Sequence, residues 1–328
     1  MNSKYLHATH WTAIVLITLL LGACSKNEIY ISTGDKYTDG GNSDGNQGNN
    51  SGNPSNDSSA LITFSASVEG RTITRSLSAM GKGIQNWLAV YPSNDGNNTN
   101  RAPLAAGYYV TSSPGVLSGI QGYKMYLSNN TYNFYAVSTN SSTPPPTFTN
   151  GVSDLLSNGV DYLWWNALNQ DIKSSQVNIP ITYQHAATQI VINITGGENI
   201  TITKILSATI TPPQPGATMD LSTGIITPET AYGKTATMGI KDFTVQYIML
   251  PIIQNSPMPL TLELIVNDEN FARTYQTSLP LPDGKLSAGS SYLFRAVINE
   301  NSVSFPYVSV KSWTEVDESG NPLYPTQD

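Results

Sequence analysis

The residues best suited to chemistry stand near the start of the chain, where residues 21–24 read Leu-Gly-Ala-Cys and form a lipobox. Cys24 is the only cysteine among 328 residues, so its thiol can accept a lipid and cannot form a disulfide within the chain. The apolar run of residues 11–21 follows Lys4, a pattern typical of a secretory signal. It is shorter than the ~20 apolar residues of a membrane-spanning helix. The sequence therefore predicts a lipoprotein signal peptide over residues 1–23 and lipid attachment at Cys24.

Residues able to catalyse a reaction or to bind a metal are scarce beyond the predicted signal. His185 is the single histidine there, and no serine stands in a G-x-S-x-G elbow. Residues 24–328 also contain no H-E-x-x-H motif and no Gly-rich phosphate loop followed by Lys. We therefore interpret His185 as a strand-end or interdomain residue, with a catalytic site around it as the alternative. The sequence predicts a protein that is not an enzyme and that has no cofactor or metal ion.

Charge and composition restrict the partners that the chain can bind. Without the signal it carries 15 basic and 23 acidic residues, a net charge of −8. An acidic surface has the wrong sign for nucleic acid, so no nucleic-acid partner is predicted. Only 12% of residues are charged, while Asn, Ser, Thr and Tyr are abundant, a mixture typical of β-rich exported proteins.

Aromatic side chains provide a second kind of candidate site. Trp164 and Trp165 could form stacking platforms for sugars, because indole rings combine a flat apolar face with a polar edge. Neighbouring side chains of a strand face opposite sides, so at most one of the two could serve a given surface. Packing of both rings into the protein interior is the competing interpretation.

The composition of the chain changes at residue 61, where a polar segment gives way to the pattern of a strand. Residues 33–59 are dense in Gly, Asn, Ser and Asp and cannot bury enough apolar surface to offset the entropy of ordering. Residues 24–60 are therefore predicted to be an acylated N-terminus and a flexible tether. Ile62, Phe64, Ala66 and Val68 then alternate with polar residues, a period of two that predicts a half-buried strand.

Similar alternation recurs as far as Val310, separated by turns rich in Pro and Gly. This pattern predicts an all-β chain of antiparallel β-sandwiches. We place two domains over residues 61–185 and 186–328, the second with a short tail. The boundary falls near His185, between two strongly apolar strands.

Seven segments, in this order, resemble the fimbrillin family, the lipoprotein pilins of anaerobic Gram-negative bacteria. They are residues 62–66, 87–91, 132–137, 161–165, 177–190, 286–294 and 310–313. The resemblance implies two tandem transthyretin-like sandwiches in a pilus subunit that is exported as an outer-membrane lipoprotein and assembles with other pilin subunits at the cell surface.

The resemblance also implies how assembly proceeds. A protease cuts after an arginine beyond the first strand, and we prefer Arg75, with Arg71 as the alternative. The strand that carries Ile62, Phe64, Ala66 and Val68 is then lost, and a donor strand from the next subunit fills the groove. The sequence permits this mechanism, because residues 70–76 form a short polar connection with two arginines.

Other roles stay open at this point. Residues 314–328 lack a long alternating strand, and Pro322 and Pro325 would each remove a ladder hydrogen bond. A pilus tip or anchor subunit is therefore an alternative to a stalk subunit, and an anchor would keep its lipid and first strand. A surface glycan-binding lipoprotein that recognises a host or bacterial ligand is a further alternative.

Overall fold

The computed structural model describes residues 59–69 and 77–313. Within these ranges the chain forms β-strands and three short 3-10 helices, at Ser93–Asp95, Ile120–Gly122 and Pro282–Gly284. The predicted all-β class is confirmed. Strands form because β-branched and aromatic residues alternate with polar ones, so each strand has one face that is buried and one that can meet water.

The N-terminal unit is a continuous nine-stranded sheet in the order β11-β10-β7-β3-β4-β5-β1-β2, with β6 paired to β1. Because β1 also pairs with β11, the sheet closes on itself around a core that includes Leu88, Phe134 and Tyr183. The strands up to His185, including the small β8–β9 hairpin, are β1 (Ala60–Glu69), β2 (Leu77–Ala79), β3 (Gln85–Pro92), β4 (Ala105–Ser113), β5 (Val116–Gly119), β6 (Met125–Leu127), β7 (Asn130–Ser138), β8 (Phe148–Thr149), β9 (Val152–Ser153), β10 (Leu163–Ile172) and β11 (Gln176–His185).

The C-terminal unit consists of two facing sheets and a small two-stranded sheet of β17 and β20. One facing sheet has the order β15-β16-β12-β21-β22 and the other β14-β13-β18-β19, and side chains such as Ile192, Leu262 and Phe294 fill the space between them. The strands are β12 (Thr188–Gly196), β13 (Ile202–Ile210), β14 (Ala236–Thr237), β15 (Gly239–Lys241), β16 (Thr244–Met249), β17 (Ile252–Ile253), β18 (Met258–Val266), β19 (Arg273–Leu279), β20 (Lys285–Leu286), β21 (Ser290–Ile298) and β22 (Val303–Ser312).

Each unit contains one long parallel pair, so the prediction of antiparallel sandwiches is wrong for these two pairs. β1 runs parallel to β11, and β12 runs parallel to β21. Side chains alternate with a period of two in parallel and antiparallel strands alike. The alternation therefore predicts the strands and is silent on their relative direction.

A third apolar cluster joins the two units. It combines Trp87 and Tyr135 of the N-terminal sheet with Leu221, Leu250 and Trp313 from the rest of the chain. Backbone hydrogen bonds also cross this junction. The Ser153 amide donates to the Met219 carbonyl at 3.0 Å, and the Leu156 amide donates to the Ala217 carbonyl at 2.8 Å. The junction is thus a packed interior rather than a loose hinge.

Candidate assembly site

Strand β1 is held along its whole length by a partner that is distant in sequence. Eight consecutive residues, from Leu61 to Val68, pair in parallel with Gln176 to Tyr183 of β11. On its other edge β1 pairs in turn with β6, with β5 at the single position Ser65, and with β2. One edge of β1 is therefore a continuous ladder, and the other is a succession of short antiparallel pairings.

The inward face of β1 belongs to the core of the N-terminal unit. Its side chains are at most 4% exposed: Ala60, Ile62, Phe64, Ala66 and Val68. The Phe64 ring meets the edge of Tyr109 with centroids 5.2 Å apart, and that of Phe134 at 6.3 Å. Burial of a large apolar side chain contributes roughly 1.5–3 kcal/mol, so Ile62, Phe64 and Val68 together make β1 a major contributor to stability.

The outward face of β1 is polar and adds only weak contacts. The Ser67 hydroxyl donates to the Ile181 carbonyl at 3.1 Å, and the Thr63 hydroxyl approaches the Val177 carbonyl at 3.3 Å. These bonds are made to β11, as is most of the backbone ladder. A strand of the same alternation could replace β1, because backbone bonds and alternate apolar pockets do not depend on a particular outward sequence.

A buried polar network closes the end of β11. His185 is its last residue, and its Nδ1 lies 2.8 Å from Asp161 Oδ1, with side-chain exposures of 1% and 7%. Asn140 Nδ2 donates to the second Asp161 oxygen at 2.9 Å. The His185 ring stacks on the Trp313 indole at 4.1 Å and 14°. His185 is thus a strand-end residue between the two units, as the sequence predicted, and it is oriented by partners that sequence reasoning did not identify.

The sequence profile of the fimbrillin-like family matches residues 54–313, which include every strand described above. The chain belongs to the fimbrillin-like family. Membership implies assembly with other pilin subunits and a location at the cell surface, and the family is not an enzyme family. The resemblance stated from the seven sequence segments is confirmed.

Two solved structures share the fold of this fimbrillin-like chain. A candidate cell adhesion protein from Bacteroides uniformis is 18% identical, with a TM-score of 0.58, over 79% of this chain and 100% of its own. A candidate cell adhesion protein from Bacteroides ovatus is 13% identical, with a TM-score of 0.56, over 79% of this chain and 99% of its own. At these identities the likeness concerns the fold alone. No curated protein matches the sequence.

Several predicted site residues of the fimbrillin-like chain lie outside the described residues. These are Cys24, Arg71 and Arg75, and the signal peptide, most of the tether and the tail from residue 314 lie there too. Among the residues described, no helix is long and apolar enough to cross a membrane. In the same part of the chain, no three His, Cys, Asp or Glu side chains come together as a metal site.

The two adjacent tryptophans of the fimbrillin-like chain pack, half-buried, against different core clusters. Trp165 lies against the core of the N-terminal unit, and Trp164 lies against the junction cluster. The Trp164 indole Nε1–H donates to the Leu221 carbonyl at 2.8 Å. Opposite faces of β10 thus hold them apart, as the alternation of a strand requires, and each ring is half-buried against its own cluster.

Gly224 provides a test of how closely Trp164 is packed. Its φ is +71°, and a Cβ there would overlap the Trp164 indole. We expect Gly224→Ala to lower the free energy of unfolding by roughly 1–3 kcal/mol more than backbone strain alone. Gly122→Ala is the control, since Gly122 has a similar φ of +78° and open space around it. Urea unfolding would compare the two variants. Equal losses in the free energy of unfolding would show that the Trp164 indole moves aside at little cost.

Proposed function

We propose that this fimbrillin-like protein is a structural subunit of a cell-surface pilus, exported as an outer-membrane lipoprotein on Cys24 and assembled by donor-strand exchange. The observation that supports the proposal is the position of β1. It is the first strand of the described residues, its apolar face lies wholly in the core, and residues 70–76 connect it to β2 along the chain. A cut within that connection would separate β1 covalently from the subunit whose core it completes.

The proposed exchange follows from the pairing of β1. Removal of the strand would leave β11 without its parallel ladder and would open pockets at alternate positions, the deepest where Phe64 meets Tyr109 and Phe134. A donor strand needs an apolar residue at every second position and a large one at the Phe64 pocket. We propose that the two transthyretin-like domains are residues 61–185 and 186–328, with the donor-accepting groove in the first.

The closed state before cleavage also has a role in this proposal. A subunit that supplies its own β1 keeps the groove filled and the β1-facing edge of β11 paired, which disfavours premature polymerisation in the periplasm. Cleavage then converts a self-complemented monomer into an acceptor. The lipid, the tether and β1 would leave together, because all three precede Arg71 and Arg75 in the chain.

The N-terminus of assembled subunits tests the proposal directly. Mass spectrometry of purified pili is expected to find Ser76 as the first residue of the stalk copies. Arg75→Ala should leave acylated, unassembled protein in the membrane, whereas Arg71→Ala, its control, should assemble normally. The opposite result for the two variants would move the cut to Arg71. Acylated Cys24 in polymerised copies would overturn the stalk role and favour the anchor alternative, in which the lipid and β1 are kept.

A further inference from the structure

A polar cleft of about 480 Å³ lies in the C-terminal unit, far along the chain from β1. One wall is β19, the edge strand of the four-stranded sheet, and the other is the turn from β21 into β22. Its lining is rich in hydroxyl, amide and carboxylate groups, from Thr274, Gln276, Glu300, Asn301 and Ser302. Hydroxyl and amide groups can both donate and accept hydrogen bonds, and a carboxylate accepts them.

Phe271 places an aromatic ring at the border of this polar cleft. Its side chain is 62% exposed and lies in the turn between β18 and β19. A single exposed phenylalanine is unremarkable by itself. Here the ring stands beside a row of polar groups, and this combination matches a ligand with one apolar face and a hydroxylated rim.

The turn that carries Phe271 is held by two residue pairs, each joined by two hydrogen bonds. The backbone amide of Asn267 donates to the Thr201 carbonyl at 2.8 Å, and the backbone amide of Thr201 donates to Asn267 Oδ1 at 2.8 Å. Arg273 binds Glu269 with both Nε, at 2.8 Å, and Nη2. The ring is therefore presented by a turn of restricted geometry, which reduces the ordering cost of binding.

The charged side chains of the cleft restrict which ligands could bind there. Arg273 and Glu269 neutralise each other, and the hydrogen bond from Arg273 lowers the pKa of the Glu269 carboxyl. Glu300 is then the one cleft-lining charge without an ion pair among the described residues. A carboxylate at the rim disfavours phosphates and acidic sugars, and it accepts hydrogen bonds from neutral hydroxyl groups.

We propose that this cleft binds a neutral saccharide, with Phe271 packed on the apolar face of a pyranose ring and Gln276 and Asn301 bonded to its hydroxyl groups. An extended peptide could in principle add to the free edge of β19. The lining does not offer a row of apolar pockets at every second position, as peptide addition would require, and it is dominated by side chains suited to hydroxyl groups. The saccharide is therefore the occupant that the residues favour.

Binding is tested on the monomeric full chain, so the result is independent of whether the protein polymerises. We expect an array of neutral and acidic oligosaccharides to reveal binding to one or more neutral glycans. Titration calorimetry with the strongest neutral ligand should then show that Phe271→Ala weakens binding by about tenfold or more. Gln276→Ala should weaken binding as well.

The matched control is Phe243→Ala, which removes a phenylalanine that is 47% exposed and lies outside the cleft. It should leave affinity unchanged, and thermal unfolding should show that all three variants remain folded. The proposal is overturned if no neutral glycan binds, if only acidic glycans bind, or if Phe271→Ala and Phe243→Ala have the same affinity. Competition by extended peptides alone would instead assign the edge of β19 to a peptide partner.

Discussion

Deletion of residues 60–69 is expected to unfold the N-terminal unit, and a synthetic peptide with the β1 sequence is expected to restore it. The deletion removes the eight-residue ladder to β11 and the side chains of Ile62, Phe64 and Val68 from the core. At roughly 1.5–3 kcal/mol for each large apolar side chain, the loss is comparable with the whole stability of a domain, about 5–15 kcal/mol. Thermal unfolding with and without the peptide measures both effects.

Two altered peptides make this experiment specific. A peptide with Ser at positions 62, 64 and 68 keeps the backbone and loses the inward face, so it should not restore the melting transition. A peptide with Ala at positions 63, 65 and 67 loses only the polar outward contacts at 3.1–3.5 Å and should restore it. A deletion variant that melts like the intact chain without any peptide would show that β1 is dispensable, and would remove the physical basis of strand exchange.

Asp161→Ala is expected to destabilise the junction between the units. The Asp161 carboxylate accepts from His185 Nδ1 and from Asn140 Nδ2, and it is buried. Loss of the acceptor of the buried His185 ring costs roughly 1–3 kcal/mol, and Asn140 adds less because it is half-buried. We therefore expect a loss of roughly 1–3 kcal/mol in the free energy of unfolding. The stack of His185 on Trp313 should loosen at the same time, because the imidazole loses the contact that orients it.

Asp171→Ala is the matched control for that substitution. Asp171 also accepts two hydrogen bonds, from Lys173 and Thr131, but its side chain is 52% exposed, so water can replace them. Urea midpoints should fall clearly for Asp161→Ala and hardly at all for Asp171→Ala. Equal midpoints would mean that the network is not a structural connection between the units. Tryptophan fluorescence would report on the junction, since Trp313 is buried there.

The candidate site was predictable in part, because some of its features are local. The alternation at Ile62, Phe64, Ala66 and Val68 predicted a half-buried strand, and β1 has those four side chains buried. The scarcity of catalytic residue types could also be predicted, since it depends only on which side chains are present. His185 could be assigned to a strand end because apolar strands flank it on both sides.

The contacts of His185, the surroundings of the two tryptophans and the Phe271 cleft depend on residues that meet only when the chain folds. Asp161 and Trp313 lie 24 and 128 positions from His185, and nothing in their local sequence marks them as its partners. Trp164 and Trp165 were candidates for an open sugar-binding surface, and only the packing of β10 showed that each lies half-buried against a separate core cluster. The Phe271 cleft was not singled out, because it forms where an edge strand meets a distant turn.

The amino-acid sequence by itself determined that this protein is β-rich, poor in catalytic groups and related to fimbrillins, because composition and strand alternation are properties of neighbouring residues. Only the tertiary structure decided that β1 runs parallel to β11, about 115 positions away, and thereby closes the N-terminal sheet. The physical reason is that a strand presents the same period of two and the same backbone groups to any partner. Its neighbour, direction and register are therefore chosen by the packing of the whole core.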